Sequence, residues 1–220
     1  MKHVFKLAVI VALLGVACST SKITSVWKAQ NVQPREYSKI LVLGLINEPD
    51  RTIREKMEAN LVAELKTHGY DAVCSCDEYG PKEFENMKEE EALNKLGRGG
   101  IDAVLTIVLL DKQKERYYVP EGVYYSPYAI YHNRFWGYYT TMYGRVYAAD
   151  YYAPVTDTKY FWESNFYSIN HGQELLYSVQ SRSFNPGTIN ALSNEYSQMI
   201  VKSMVKNGIL SEQRQQLKPM

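Results

Sequence analysis

Lys39-Ile40-Leu41-Val42-Leu43-Gly44-Leu45-Ile46, followed at once by Asn47-Glu48-Pro49-Asp50, is the stretch that decides the fold. After Lys39 the run carries no polar side chain and does not alternate. This pattern suits a strand buried on both faces, as in the middle of a sheet covered by helices. Asp50 can cap a helix in which Ile53, Met57, Leu61 and Leu65 share one face at i, i+4 spacing, with Gly69 placed to end it.

Working outward, Tyr70 to Cys76 reads as a second short strand and Pro81 to Leu96 as a second helix, with Glu89-Glu90-Glu91 as a solvated face and Gly97-Arg98-Gly99-Gly100 as its break. Ile101 to Leu110 is again apolar, and Asp111 to Tyr118 extends it in more exposed form. Strand, helix, strand, helix, strand is the alternation of a partly parallel sheet with covering helices. Farther on, Tyr160–Ile169 and Leu175–Ser181 alternate apolar and polar residues around the turn Asn170-His171-Gly172-Gln173, which predicts a hairpin. Pro186 and Thr188 then open a closing helix that turns Ile189, Leu192, Tyr196, Met199, Ile200 and Met204 inward and stops at Asn207-Gly208. The expected class is therefore α/β (α+β): a mixed sheet in one domain over residues 38–210, followed by a polar tail, 211–220.

The N-terminus reads differently. Lys2, His3 and Lys6 precede an apolar run from Leu7 to Leu14, and Gly15-Val16-Ala17 stand before Cys18. This is the secretory layout, and the apolar run is too short for a permanent membrane span. It resembles the bacterial lipobox, with Gly15 where Leu is more usual. The resemblance implies a signal peptide over residues 1–17, cleavage before Cys18 and acylation of Cys18. Such acylation anchors a domain stably, since each buried methylene contributes about 0.8 kcal/mol. Residues 18–37 are expected to form the lipidated N-terminus and a tether. No acidic residue follows Cys18 closely, which points to an outer-membrane anchor facing the periplasm.

Composition excludes more than it assigns. The formal net charge is +1, and loss of Lys2 and Lys6 takes the 25 basic residues to 23 against 24 acidic, a net −1. A near-neutral surface gives no case for nucleic acid, whose binding rests on a clustered basic footprint. His68, His132 and His171 show no ligand spacing, so no metal is expected. His68 is placed to complement the end of a helix. No nucleophile elbow, P-loop or dinucleotide-binding glycine pattern is present, so no catalytic residues and no cofactor are assigned. Cys74 and Cys76 form a C-x-C pair on one face of the expected strand. Free buried thiols are the plainer reading, a labile disulfide the alternative.

Twelve of the 19 tyrosines lie between Tyr117 and Tyr152. Aromatic rings with polar tips give large contact area at low entropic cost, which suits interfaces and stacking on sugars. Tyr124, Tyr125, Tyr128, Tyr131, Arg134, Trp136, Tyr138 and Tyr139 are therefore the candidate binding residues, within an insertion over 117–152; packing of the rings as a local core is the competing reading.

Several stretches together resemble a family of uncharacterised bacterial lipoproteins of the outer-membrane type: Trp27, Lys39–Leu45, His68-Gly69-Tyr70, Ile101-Asp102-Ala103-Val104, Tyr118-Val119-Pro120, Trp162 to Tyr167, and the closing helix to Gly208-Ile209. The order of elements also resembles the N-terminal domain of the Tol-Pal system's periplasmic protein and the periplasmic part of the curli-secretion lipoprotein. The resemblance implies an envelope address and no particular reaction. The expectation is a non-enzymatic module binding an envelope protein, with a carbohydrate- or peptidoglycan-binding module as second reading and a hydrolase as third.

Overall fold

The computed structural model describes residues 20–48, 50–79, 83–115, 134–148, 157–170 and 172–211. Among the described residues, six strands form one sheet in the order β1-β6-β5-β4-β2-β3. They are β1 (Ser21–Lys28), β2 (Ile40–Leu45), β3 (Ala72–Cys74), β4 (Ala103–Glu115), β5 (Asp157–Ser168) and β6 (Glu174–Phe184). The helices are α1 (Arg51–Thr67), α2 (Ser75–Glu78), α3 (Glu89–Arg98), α4 (Phe135–Ala148) and α5 (Ile189–Lys206). β2 pairs parallel with β3 and β4, while β4–β5, β5–β6 and β6–β1 are antiparallel. The expected mixed α/β sheet is what the chain forms.

The apolar run divides its side chains between two cores, as its lack of alternation requires. Ile40 and Val42 face a core completed by Met57, Leu61 and Leu65 of α1 and by Tyr196, Ile200 and Met204 of α5. Leu41, Leu43 and Leu45 face a second core with Ala92 and Leu96 of α3 and Phe135, Tyr138 and Tyr139 of α4. Each fully buried large apolar side chain contributes about 1.5–3 kcal/mol, so two filled faces account for most of the driving force.

Local chemistry sets the helix ends. The Asp50 carboxylate accepts the Thr52 N–H at 2.9 Å, and Thr188 Oγ1 accepts the Ala191 N–H at 3.0 Å. Gly69 at φ +85° and Gly208 at φ +69° take the left-handed turn that ends α1 and α5, a conformation glycine adopts without steric cost.

Three expectations need correction. Residues 21–28, placed in the tether, form β1 at the sheet edge, where they pair with β6 from Ser21↔Ser183 to Lys28↔Tyr177. The helix expected over Pro81–Leu96 starts only at Glu89, because residues 83–86 form a turn with Asn86 at φ +62°. The strand expected over Tyr70–Cys76 is only Ala72–Cys74, since the chain winds into α2 at Ser75.

Candidate functional site

The aromatic segment divides. Cys18, Tyr124, Tyr125, Tyr128 and Tyr131 lie outside the described residues. Arg134 is exposed and pairs with Glu89 at 3.0 Å, beside Gln173, whose amide donates to the same Glu89 oxygen at 2.6 Å. Trp136, Tyr138 and Tyr139, expected on a recognition surface, are instead packed into the second core. The reason is helical spacing: Phe135, Tyr138, Tyr139 and Met142 fall at i, i+3, i+4 and i+7 and turn one stripe toward the sheet. Trp136 lies flat on Tyr139 with ring centroids 5.4 Å apart.

Tyr138 also closes a polar cluster on the sheet. Its hydroxyl donates to Glu163 Oε1 at 2.6 Å, and the same carboxylate takes Nδ2 of Asn165 at 3.2 Å and Nε2 of Gln180 at 2.9 Å. Burial, with the Glu163 carboxylate beside it, holds the Tyr138 phenol well above its ordinary range. With three donors the buried carboxylate is compensated, as a charge taken out of water must be. The cluster fixes α4 on β5 and β6.

The second polar concentration has more chemical capacity. Glu58 sits on α1 between Met57 and Leu61 and is fully buried. Its Oε1 accepts the Gly44 N–H at 2.9 Å, and the Ser75 hydroxyl lies 3.0 Å from Oε1 and 2.8 Å from Oε2. Oε2 also accepts the Cys76 N–H at 3.1 Å and lies 2.9 Å from Cys74 Sγ. Arg54, one turn earlier on α1, brings Nη1 to 3.7 Å from Oε1, and that nitrogen has no hydrogen-bond partner. Burial pushes the Glu58 carboxyl up, against the Ser75 hydroxyl, the Gly44 amide, Arg54 and the Cys76 amide, which all pull it down.

Cys74 and Cys76 are joined as a disulfide with Cα atoms 5.1 Å apart. The two cysteines do not share a strand face as expected. Cys74 ends β3 and Cys76 lies in α2, and this turn of the chain brings them within ordinary disulfide reach. Cys74 is buried and Cys76 half-buried. Glu58 Oε and the two sulfurs lie within 4.8 Å of one another.

Gly44 explains how a carboxylate comes so close to a central strand. A Cβ there would stand 2.7 Å from Glu58 Oε1 and 2.9 Å from Arg54 Cγ. A glycine inside a strand often marks such an approach, and this was the signal by which Glu58 could have been found. Ser75, Asn165 and Gln180 gave no comparable signal in the sequence. His68 is placed as expected, with Nδ1 3.1 Å from the Glu64 carbonyl oxygen in the last turn of α1.

The fold and its buried acid–disulfide centre define an α/β domain with a mixed sheet covered on both faces. No family model and no curated protein matches the chain. Among solved structures, it is similar to the PelC dodecamer from Paraburkholderia phytofirmans, at 9% identity over 87% of this chain and 99% of that one, with a TM-score of 0.44. It is also similar to lipoprotein GNA1162 from Neisseria meningitidis, at 16% identity over 77% of this chain and 99% of that one, with a TM-score of 0.41. These are likenesses of general chain course, and no activity, assembly or partner is carried over from them. Among the described residues no helix is long and apolar enough to cross a membrane.

Proposed function

We infer that this chain is a lipid-anchored envelope protein, held by acylated Cys18 on the periplasmic face of the outer membrane, whose α/β domain binds another envelope component. The observation that supports this reading is how soon the fold begins after Cys18. Thr20 already donates its backbone N–H and its hydroxyl to the Glu195 carboxylate on α5 at 2.8 and 2.7 Å, and β1 starts at Ser21. Only Ser19 stands between Cys18 and Thr20. Two extended residue steps reach about 7 Å, so the domain would ride against its bilayer instead of swinging on a tether. A partner must then be in that membrane or reach down to it. Tyr124, Tyr125, Tyr128 and Tyr131, in the segment leading to exposed Arg134, are the residues assigned to the contact.

The test is metabolic labelling with an alkyne fatty acid, combined with in-cell crosslinking. The wild type should carry the label and pellet with outer membranes, and Cys18→Ala should be unlabelled and released. Changing Tyr124, Tyr125, Tyr128 and Tyr131 together to Ser should remove one crosslinked envelope protein without loss of label. Label persisting on Cys18→Ala refutes the anchor, and an unchanged crosslink pattern refutes the assigned contact.

A further inference from the structure

We propose that the Cys74–Cys76 disulfide is a redox-active centre that exchanges with the dithiol of a partner protein, with Glu58 as the buried proton donor and acceptor for Cys74. This site is separate from the anchor and from the aromatic segment, and stands or falls independently of them.

Three features of the structure support it. The bridge closes a loop of only three residues, and a cross-link so short removes little freedom from the unfolded chain, so it adds little as a staple. The two sulfurs are unequal: Cys76 is half-buried at the margin of the first core and is the more accessible residue of the two, whereas Cys74 is buried against the Glu58 carboxyl, 2.9 Å from Oε2. Finally, a disulfide sulfur has no proton to give, so in the oxidised state the 2.9 Å contact of Cys74 Sγ with Glu58 Oε2 lacks a donated proton, while the Ser75 hydroxyl and the Cys76 N–H remain donors to that oxygen. After reduction the Cys74 thiol supplies that proton. The charged and titratable groups facing Glu58 are Arg54 from α1 and the two sulfurs from β3 and α2, while β2 contributes the Gly44 N–H.

The step balances as follows. A thiolate of the partner attacks Cys76 Sγ, a new sulfur–sulfur bond forms there, and the Cys74–Cys76 bond breaks. Its electron pair goes to Cys74 Sγ, which takes the proton from the Glu58 carboxylic acid. The partner's second thiolate then attacks the partner's own sulfur in the mixed disulfide and releases Cys76 as a thiolate, which is protonated from water. The partner leaves oxidised by two electrons, Cys74 and Cys76 hold those electrons as thiols, and Glu58 regains its proton from solvent. In reverse, the Glu58 carboxylate takes the proton of Cys74 so that its thiolate can close the bridge. Access, and the environment of each sulfur, govern such exchange.

Dithiothreitol is the first probe. With the folded full chain, thiol release should be complete without unfolding, and Glu58→Gln should slow it by about a hundredfold, the lower end of the usual contribution of a positioned acid. The wild-type rate should also show a pH inflection, above the ordinary carboxylate range, that Glu58→Gln lacks. A purely structural role for Glu58 would not create that inflection. Trapping keeps the test valid should Glu58→Gln not fold: with a peptide disulfide as probe, Cys74→Ser should take one peptide half as a mixed disulfide on Cys76 and release the other half as a thiol, and Cys76→Ser should take none. A bridge that opens only on unfolding, equal trapping on both variants, or identical rates and pH profiles for wild type and Glu58→Gln would each overturn the proposal.

Discussion

Gly44→Ala tests the centre at its tightest point. The added methyl carbon would stand 2.7 Å from Glu58 Oε1, 2.9 Å from Arg54 Cγ and 3.3 Å from Glu58 Cγ. The carboxyl group has little room to retreat, because Oε2 is held by the Ser75 hydroxyl and the Cys76 N–H. Overpacking in a filled core costs about 1–3 kcal/mol. Moving the carboxyl also weakens the Gly44 N–H bond to Oε1, and a bond of that kind contributes about 1.5–3 kcal/mol. Alanine recovers roughly 0.5–1 kcal/mol from the conformational cost of glycine in a strand. The net expectation is a loss of about 2–4 kcal/mol, or roughly 5–15 °C in Tm for a domain of this size. The measurement is urea unfolding followed by intrinsic fluorescence for the wild type, Gly44→Ala, Glu58→Ala and the double variant. In the Glu58→Ala background the methyl meets no carboxyl and only the contact with Arg54 Cγ remains, so the cost of Gly44→Ala should fall by about 1 kcal/mol or more, a coupling that neighbours in contact show and distant sites do not. A Gly44→Ala variant within about 0.5 kcal/mol of wild type, or one whose cost is undiminished without Glu58, refutes the reasoning.

Tyr139→Ala should cost about 3–5 kcal/mol by the same unfolding assay, as loss of a large buried ring does, and a near-neutral result would return α4 to the surface. Tyr138→Phe, which takes one donor from the buried Glu163 carboxylate, should cost about 1–3 kcal/mol, and a wild-type melt would mean that the other donors suffice. Because burial raises the Glu58 carboxyl above its unfolded value, the native state holds that proton longer. Its stability is full below the ordinary glutamate range and falls as pH rises through the raised folded value, and Glu58→Gln should flatten that slope in stability measured against pH. Asp50→Ala removes the α1 cap and should cost about 1 kcal/mol, with a loss below a few tenths showing that the Thr52 amide is satisfied by water.

What could be read in the sequence follows from which interactions are periodic. The Lys39–Ile46 run, the i, i+4 stripe of α1 and the capped closing helix are local patterns, and each formed where its spacing placed it. The two central parallel pairings followed from the alternation of strands and helices. β1 escaped notice because an edge strand is half-exposed, and Ser21 to Lys28 mixes polar and apolar residues without a long apolar run. The rings of α4 were readable as aromatic but not as buried. Their helical spacing was present in Phe135, Tyr138, Tyr139 and Met142, but crowding by neighbouring tyrosines hid it. The Glu58 centre was the least legible part, since its members come from α1, β2, β3 and α2. Only tertiary packing joins a carboxyl on the buried face of α1 to a cysteine 16 residues further on.

The clamp of Thr20 on Glu195, with β1 lying along β6, has a mechanical consequence. A load entering at the N-terminus and directed along β1 reaches its hydrogen bonds to β6 together, from Ser21 to Lys28, so they yield in shear and not one after another. Two bonds from Thr20 to the Glu195 carboxylate stand ahead of them and take the first strain. The domain would therefore withstand a lengthwise tug as tape does when drawn along its length, and would give way far sooner to a force that peels β1 sideways from the sheet.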